Sequence, residues 1–388
     1  MIYLDHAATT PLDPLVLEEM MPYLGEKYGN PGSIHAVGRE AAKAVDLARE
    51  RVADFFNCRP DQIIFTSGGT EGNNMVFAGL ETELRRRAKT HVITTQIEHD
   101  SVLRAAKRLC IKREFGFSLN LCKPNGGGEI KADAIKELFK DDTGLVSVMA
   151  VNNETGVIND IEHISHVCKE RGILFHTDCV QAAGIEPLDT HGLFCVDAMT
   201  ISSHKLNGPK GVGAIFIRDP ILFSPLIVGG SHQEFGFRGG TENVAGIVGL
   251  GKACELSKAN MFDRFLYVQK AQTNMRYMLM SEAKKHDVGM QINGDIRIVS
   301  PKTMSVSFDD IDAETLLLML DSRGICVSAG SACTSKENVP SHVLKAMGLS
   351  DEEARGTIRI SISHLNSMED IREAAQTIIE CVAALKKM

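Results

Sequence analysis

The chain has 388 residues, of which 44% are hydrophobic and 24% charged, a composition typical of a globular protein with a sizeable core. The formal net charge is −8, and acidic and basic residues are mixed along the chain, so no basic face indicates nucleic acid as a ligand. The N-terminus lacks the pattern of a signal peptide, and no apolar run approaches about 18 residues, so we expect a cytoplasmic protein without membrane contact.

Short β-branched runs alternate with helical patterns through the first part of the chain. This alternation is typical of βαβ units with a mainly parallel sheet that helices cover on both faces. In such sheets ligands bind outside the carboxyl ends of the strands, so we expect the chemistry in the segments that follow them. The predicted strands are residues 63–66, 91–95, 145–151, 173–177, 198–202 and 213–217.

A glycine-rich segment, residues 67–74, follows the first of these strands and opens a helical pattern. Backbone N–H groups at such a helix start can bind an anion, and Thr70 adds a hydroxyl donor beside Gly69. The segment lacks the spacing of a P-loop or of a dinucleotide fingerprint. Taken alone, it is as compatible with a simple strand-to-helix turn as with a phosphate-binding loop.

Asp178 ends another predicted strand, where a buried carboxylate would need a cationic partner. A protonated pyridine nitrogen is such a partner, and an acidic residue beside it preserves the capacity of the ring to accept electrons. Gln181 could then contact a ring hydroxyl. The alternative is that Asp178 caps a helix and that Gln181 completes a capping box.

Two lysines follow the strand predicted over 198–202. Lys205 comes directly after polar residues 202–204, whereas Lys210 lies in a predicted tight turn. A lysine that forms an imine with pyridoxal phosphate (PLP) must be partly desolvated and close to the anion site, which favours Lys205. A solvated surface lysine is the alternative for both.

His99 and Arg359 are two further polar residues at positions where chemistry is expected. His99 follows a strand and could stack on an aromatic cofactor and move protons near neutral pH, although most lone histidines do neither. Arg359 lies inside a predicted strand, where a guanidinium is a strange residue to bury unless it binds a carboxylate. An amino-acid substrate supplies one.

The pattern changes near residue 255, where a long helical stretch over 256–286 begins. The chain beyond it indicates a second, smaller α+β domain. We therefore expect a large domain over 13–255 and a small domain over 256–388 that residues 1–12 join. The further predicted elements are a strand over 303–308, a helix over 313–323, a strand over 357–361 and a closing helix over 368–386.

Cys333 differs from the other nine cysteines because it lies in a segment of small and hydroxylic residues, 328–335, that can form an exposed loop. The cysteines include no C-x-x-C pair, which argues against zinc ribbons and dithiol motifs, and we predict no metal site. The local sequence alone leaves a nucleophile, a redox sensor and a metal ligand open for Cys333.

Eight strings of residues, in family order along nearly the whole chain, resemble the NifS/IscS-type cysteine desulfurases, which are class V, fold-type I PLP-dependent enzymes. The resemblance implies an α/β fold with a large domain on a mainly parallel, seven-stranded sheet and a smaller α+β C-terminal domain that carries the catalytic cysteine loop. The matching strings are residues 3–11, 29–35, 66–74, 151–156, 176–181, 203–211, 238–243 and 330–335.

The resemblance also implies a role for each candidate residue. Lys205 matches the imine lysine, Cys333 the thiol that takes the sulfur, and His99 the histidine that stacks on the ring. Thr241 matches a phosphate contact from a second subunit, so a homodimer is implied. The other matches are Asp178 with the pyridinium nitrogen, Gln181 with the ring hydroxyl, Gly69, Thr70, Ser202 and His204 with the phosphate end of the cofactor, and Asn153 and Arg359 with the substrate carboxylate.

Two segments depart from the family pattern. Residues 229–234 (Gly-Gly-Ser-His-Gln-Glu) are one residue longer than the usual Gly-Gly-Gly-Gln-Glu, which affects the path into the Thr241 segment. Residues 362–364 (Ile-Ser-His) replace the usual Leu-Gly-Arg, so we expect His364 to alter contacts near the substrate carboxylate. Neither departure touches a residue that the chemistry itself needs.

We therefore predict a cysteine desulfurase that converts L-cysteine to L-alanine. Lys205 removes the Cα proton and the Cys333 thiolate attacks the substrate sulfur, which leaves a persulfide for an acceptor protein such as an iron–sulfur scaffold. One alternative is a selenocysteine lyase or another PLP-dependent lyase or transaminase on the same scaffold. An alternative of another class is an inactive scaffold that binds sulfur acceptors, against which the presence of both Lys205 and Cys333 argues.

Overall fold

The computed structural model describes residues 1–111, 116–190, 195–330 and 340–387. Within these residues the strands form one large sheet and two small ones. The strands are β1 (Ile2–Tyr3), β2 (Ile63–Thr66), β3 (His91–Thr95), β4 (Ser118–Cys122), β5 (Thr143–Ser147), β6 (Leu174–Asp178), β7 (Ala198–Ser202), β8 (Gly213–Ile217), β9 (Met290–Asn293), β10 (Thr303–Phe308), β11 (Ile325–Cys326) and β12 (Thr357–Ser361).

The large sheet has seven strands in the order β2-β8-β7-β6-β5-β3-β4. Its neighbouring strands are parallel except at β8, which is antiparallel to both β2 and β7. The prediction of a mainly parallel, seven-stranded sheet is therefore confirmed. β6 and β7 lie side by side in the middle of the sheet, so the segments that follow them meet at one edge.

Helices cover both faces of this sheet and also build the second part of the chain. They are α1 (Pro14–Leu24), α2 (Ala36–Phe56), α3 (Gly69–Arg86), α4 (Asp100–Ile111), α5 (Ala132–Lys136), α6 (Ile161–Glu170), α7 (Val244–His286), α8 (Ala313–Ser322), α9 (His342–Met347), α10 (Asp351–Arg355) and α11 (Met368–Leu385).

Every strand of the large sheet except β4 is buried along its whole length, which suits the apolar sequences of these strands. β2, β3, β7 and β8 have the predicted bounds, and β6 is shifted by one residue. β5 ends at Ser147 instead of residue 151, although Val148 and Ala150 still donate hydrogen bonds to β6. The sequence pattern does not predict β4, an edge strand in which polar and half-exposed residues interrupt the apolar run.

Helix α7 begins at Val244, twelve residues before the predicted start, because Asn243 caps it. Glycines at 246, 249 and 251 obscure the helical signal in this first part. They have a packing role, since a Cβ atom on Gly251 would lie 2.7 Å from the Cα atom of Ala48 in α2. The glycines therefore let the start of α7 lie directly against the helices of the large sheet.

Two apolar cores share α7. Ile247 and Leu250 pack in a core with the large sheet, and Met275 and Leu279 pack in a second core with α8, α11 and the antiparallel sheet of order β12-β10-β9. The strand β1 joins this second part through its parallel pairing with β11. The division of the chain into domains at residues 255 and 256 stays a prediction.

The N-terminal segment crosses from the second core to the large sheet. Asp5 bridges to Ser361 of β12, and the Thr10 N–H donates to the carbonyl of His204 at 2.9 Å. These contacts hold Ala7 and Ala8 over the edge of the sheet where β6 and β7 end. Among the described residues, no helix has the length and apolar character that crossing a bilayer requires.

Candidate active site

A cavity of about 280 Å³ opens at the carboxyl ends of the parallel strands. The segments that line it come from the N-terminus, from the residues after β2, β3, β5, β6 and β7, and from β12. Ten of the twelve predicted site residues line this cavity: Gly69, Thr70, His99, Asn153, Asp178, Gln181, Ser202, His204, Lys205 and Arg359.

One end of the cavity is the start of helix α3. Gly68, in a positive-φ conformation of 151°, precedes the helix without capping it through a side chain. A Cβ atom on Gly69 would lie 2.7 Å from a methyl carbon of Val180, so only glycine lets the helix start approach the end of β6 this closely. The N–H groups of the first turn, Thr70 and Ser202 therefore form a cradle for an anion such as a phosphate.

The opposite end of the cavity carries a single buried carboxylate. Asp178 is 5% exposed, and its oxygens accept hydrogen bonds from the Asn73 amide at 2.7 Å and the Val180 N–H at 2.9 Å. Among the described residues no lysine or arginine forms an ion pair with it. The residues after Asp178 form turns and not a helix, so the capping alternative has no helix to cap. A protonated pyridine nitrogen would supply the missing positive charge.

Lys205 lies between these two ends. A short 3₁₀ turn over Ser203–Lys205 follows β7, and the Lys205 ammonium donates to the carbonyl oxygens of Ala7 at 2.5 Å and Ala8 at 2.8 Å. Lys210 is exposed in the following turn and does not line the cavity. Lys205 therefore has the partly desolvated position that the sequence analysis expects of an imine-forming lysine.

His204 and His99 also face the cavity. Burial, together with the ammonium of Lys205, lowers the pKa of His204 to about 4, so its imidazole is neutral at pH 7. The Nδ1 atom of His99 accepts the Ser101 N–H at 3.1 Å, which leaves the proton of the neutral ring on Nε2. Each histidine can thus present one ring nitrogen to a ligand.

A hydrogen-bond network without a sequence motif of its own connects His99 to Asp178. The Asn73 amide donates to both Asp178 and the hydroxyl of Ser101, and that hydroxyl lies 2.8 Å from Nδ1 of His99. Asn73 belongs to the glycine-rich string and lies one helical turn after Thr70, so spacing could have identified it. Ser101 has no such signal beyond its position two residues after His99.

Glu98 lies behind this network and is fully buried. Its Oε1 atom accepts hydrogen bonds from the Thr95 hydroxyl and the Met149 N–H. Burial, with a smaller contribution from the charge of Asp178, raises the pKa of Glu98 to about 8. The carboxyl is therefore protonated at pH 7, and Asp178 remains the acidic charge at this end of the cavity.

Several buried polar atoms in the cavity wall lack partners among the described residues. They include the Oε1 atom of Gln181, the Oδ1 atom of Asn153 and the Nε atom of Arg359. The guanidinium of Arg359 forms an ion pair with Asp5 at 2.9 Å and donates to the Asn153 carbonyl at 3.0 Å. A polar ligand would satisfy these atoms. The residues present therefore fit PLP, with a polar ring substituent near Gln181 and an amino-acid carboxylate near Arg359.

The other two predicted site residues are Thr241, which is not in the cavity lining, and Cys333. Thr241 is exposed, on a segment that Arg238 fastens to the start of α3 through an ion pair with Glu71 at 2.9 Å. Cys333 lies outside the described residues. The described chain leads toward it from Ser328, whose backbone pairs with Arg359, and continues after it with Ser341, whose hydroxyl donates to Glu154 at 2.5 Å.

The two departures from the family pattern have defined positions. In the longer segment over 229–234, the buried carboxylate of Glu234 pairs with Arg49 at 2.7 Å and accepts the Phe65 N–H at 2.6 Å. Glu234 and Phe235 adopt positive φ values of 43° and 55°. His364 does not line the 280 Å³ cavity; it lines a smaller neighbouring one, so the expected change near the substrate carboxylate is not direct.

Known proteins resemble this chain along its whole length. Residues 2–373 match the family model described as Aminotransferase class-V. A cysteine desulfurase of Trichormus azollae is 42% identical over 387 residues, which cover 100% of this chain and 94% of that protein. A putative cysteine desulfurase IscS 1 of Bacillus subtilis is 40% identical over 386 residues, which cover 99% of each.

Two solved structures extend the similarity to three dimensions. A structure described as a NifS-like protein superposes with a TM-score of 0.89 at 37% identity, and the match covers 100% of both chains. A structure described as SspA in complex with cysteine superposes with a TM-score of 0.80 at 35% identity, over 93% of this chain and 99% of that one. The fold and the sequence therefore point to the same group of proteins.

Proposed function

The chain belongs to the aminotransferase class-V family, and from that premise we propose that it is a PLP-dependent cysteine desulfurase that converts L-cysteine to L-alanine. The observation that carries the proposal is the pairing of a lysine amine and an unpaired buried carboxylate, Lys205 and Asp178, in one cavity beside a helix start. A phosphorylated pyridine aldehyde needs these three features at its three polar positions.

When bound, PLP supplies a ring that accepts electrons from the Cα carbon of an amino acid. We assign the pyridine nitrogen to Asp178, whose negative charge keeps a proton there, and the phosphate to the start of α3 with Thr70 and Ser202. His204, neutral at pH 7, can donate a further N–H to the same phosphate. His99 would lie against the ring face, with its position fixed by Ser101.

Lys205 has two tasks in this proposal. It holds the cofactor before the substrate enters, and its neutral amine then takes the proton from the Cα carbon of cysteine. Arg359 and Asn153 orient the substrate through its carboxylate, which is supported by the partnerless Nε atom of Arg359. Because Asp5 already pairs with this guanidinium, the substrate carboxylate shares or displaces that ion pair.

The sulfur step belongs to Cys333. Its thiolate attacks the sulfur of the substrate, so that a sulfur–sulfur bond forms while the bond between that sulfur and Cβ breaks. The electron pair of the broken bond stays with the substrate carbon, which gains a proton and becomes the methyl group of alanine. The support is positional, since Ser328 pairs with Arg359 of the cavity wall and Ser341 contacts Glu154, the neighbour of the cavity-lining Asn153.

We also infer that the persulfide passes to an acceptor protein, such as an iron–sulfur scaffold, and that the enzyme is a homodimer. Support for the dimer comes from the exposed Thr241, which is held on a segment fixed by the Arg49–Glu234 and Arg238–Glu71 ion pairs. A hydroxyl presented in this way could reach the phosphate of a second copy. Light scattering of the purified enzyme checks the dimer, and the PLP affinity of Thr241→Ala checks the phosphate contact across it.

Replacement of Cys333 by serine tests the proposed sulfur transfer. Cys333→Ser should keep the visible absorbance of bound PLP, because the thiol does not hold the cofactor, and should lose alanine production from L-cysteine by about 10³-fold or more. Cys195→Ser, a partly exposed cysteine distant in sequence, is the matched control and should retain activity. Sustained alanine production by Cys333→Ser would contradict the assignment.

A further inference from the structure

A second, smaller cavity of about 30 Å³ shares Lys205 with the cofactor cavity. Its other walls come from the N-terminal segment, the turn over 183–185, residues 206–207, α7, the residue before β10 and the segment after β12. A space of this size holds one or two water molecules or one small ion. Nothing in the proposed desulfurase chemistry uses this space.

Two buried polar side chains around the small cavity, Lys302 and Ser257, have one partner or none among the described residues. Lys302 is 5% exposed, and its ammonium forms one hydrogen bond, to the Lys205 carbonyl at 3.2 Å. His6 is 2% exposed, and the Asn366 side chain and the Tyr3 backbone interact with its ring, although neither forms a hydrogen bond of good geometry. The buried hydroxyl of Ser257 has no partner among the described residues. Orphaned buried groups are rare, and several around one cavity indicate a bound species.

The charge in this region is one-sided. Lys205, Lys302 and Arg264 line the cavity, and in the described part of the chain neither Lys302 nor Arg264 forms an ion pair with a carboxylate. Asp13, which interacts with Arg264 and His364, is the acidic group that acts on this cluster. An ammonium as deeply buried as that of Lys302 is costly without a counter-charge, and an anion in the cavity would provide one.

Burial and the positive charge of this region lower the pKa values of the neighbouring groups. Burial lowers the pKa of Lys302 to about 7, and the charges of Lys205 and Arg359 add to the shift. Burial and the charge of Lys302 lower the pKa of His6 to about 4. The cavity thus lies in a strongly positive environment that disfavours every further proton.

The hydrogen-bonding groups around the cavity favour an anion over a water molecule as the bound species. Lysine and arginine only donate, the Ser257 hydroxyl is free to donate, and a neutral His6 donates through one of its nitrogens. A water molecule here would leave the positive charge of the cavity uncompensated. A monovalent anion accepts from all of these donors and neutralises charge at the same time.

We propose that this cavity binds one small monovalent inorganic anion, held by Lys302, Ser257, His6 and Arg264. Chloride and hydrosulfide have the required charge and size. Hydrosulfide is relevant because reduction of the persulfide releases it, a link that rests on the proposed function; the anion site itself does not. The bound anion neutralises Lys302, whose hydrogen bond to the Lys205 carbonyl fixes the backbone of the cofactor lysine.

Bromide is a direct probe, because its anomalous scattering distinguishes it from water. Crystals of the PLP-bound enzyme grown in sodium bromide should show an anomalous peak within hydrogen-bond distance of the Lys302 ammonium and the Ser257 hydroxyl. Lys302→Met, which keeps the length of the side chain and removes the charge, should lose the peak. If that variant does not fold, Ser257→Ala removes one donor and should reduce the peak.

Melting temperatures test the same site in solution without any activity measurement. Replacing gluconate by chloride at constant ionic strength should raise the melting temperature of the PLP-bound enzyme by about 2 °C, because an anion that binds only the folded chain stabilises it. Lys302→Met should lose this response. Lys270→Met, on the exposed face of α7, is the matched control and should keep it.

The outcomes decide the proposal independently of desulfurase activity. A water molecule without anomalous signal overturns the proposed anion site, and so does an equal chloride response in Lys302→Met. A crystal peak without a solution effect also overturns it, because it means binding at crystal concentration only. Anaerobic competition then identifies the source. If hydrosulfide displaces bromide at concentrations where chloride does not, the site binds the reaction product. If hydrosulfide and chloride displace bromide equally well, the site binds chloride from the medium.

Discussion

The two cavities that share Lys205 differ in charge balance, and the difference decides what each can bind. The large cavity contains the acid Asp178, the bases Lys205 and Arg359, and a helix start, so it has complementary groups for the several polar ends of a cofactor and an amino acid. The small cavity contains donors and positive charge. Lys205 can thus hold a cofactor in the large cavity, while an anion in the small cavity holds Lys302 and, through it, the backbone of Lys205.

The largest effect should come from the residue that the two cavities share. Lys205→Ala should lower alanine production from L-cysteine by about 10⁴-fold or more, because both the cofactor linkage and the base that takes the Cα proton are lost. Visible absorbance and alanine assays measure this. The matched control is Lys210→Ala, five residues away and exposed, which should keep both signals. Loss of both signals in Lys210→Ala, with both kept in Lys205→Ala, would show that Lys210 forms the imine.

Replacement of Asp178 tests whether turnover depends on the carboxylate of the large cavity. Asp178→Asn keeps the size of the side chain but removes the charge that holds a proton on the pyridine nitrogen. We expect the turnover number to fall by about 10²- to 10³-fold while PLP remains bound. Asp133→Asn, on the exposed surface of α5, serves as the control. An Asp178→Asn enzyme with normal turnover would show that this charge has a structural role alone.

Glu98 should have a smaller effect, which is on the pH dependence of folding stability. Its pKa is raised to about 8 in the folded protein, from 4.5, so the folded state holds the proton that the unfolded chain releases. The fold therefore loses stability as the pH rises from about 4.5 to about 8, and the loss is complete above that range. Glutamine cannot ionise and avoids this loss.

Melting temperatures at pH 5 and pH 9 measure the effect of Glu98→Gln. Relative to the unchanged protein, the variant should gain several degrees more at pH 9 than at pH 5. The exposed Glu50→Gln should show no pH-dependent difference. An equal effect of Glu98→Gln at both pH values would mean that Glu98 is ionised in the folded protein and that Asp178 is not the single charge at its end of the cavity.

Most of the large cavity could be predicted from the sequence, because parallel strands bring the segments after them to one edge. Asp178, Ser202 and Lys205 each follow or end a strand whose apolar run is legible, so their meeting follows from the topology. Asn73 was within reach of the same reasoning, since it lies one helical turn from Thr70. Asp5 was not, because its ion pair with Arg359 joins the two ends of the chain.

The small cavity had no sequence signal, for a physical reason. Its donors are single residues from separate elements, with His6 near the N-terminus, Ser257 and Arg264 on α7, and Lys302 before β10. His6 belongs to the matching string over 3–11, but that string does not indicate its neighbours in the cavity. Ser257, Arg264 and Lys302 belong to no motif, and each alone is compatible with an ordinary surface position. Their burial follows from the packing of α7 across both cores, and the late predicted start of that helix shows how little of that packing is visible locally.

A single-turnover experiment tests the central claim most directly. The PLP-bound enzyme is mixed with L-cysteine without reductant, alanine is quantified, and peptide mass mapping locates the transferred sulfur. We expect one alanine per active site and one additional sulfur atom on the peptide that contains Cys333. Formation of pyruvate and free sulfide in place of alanine, or a persulfide on another cysteine, would contradict it.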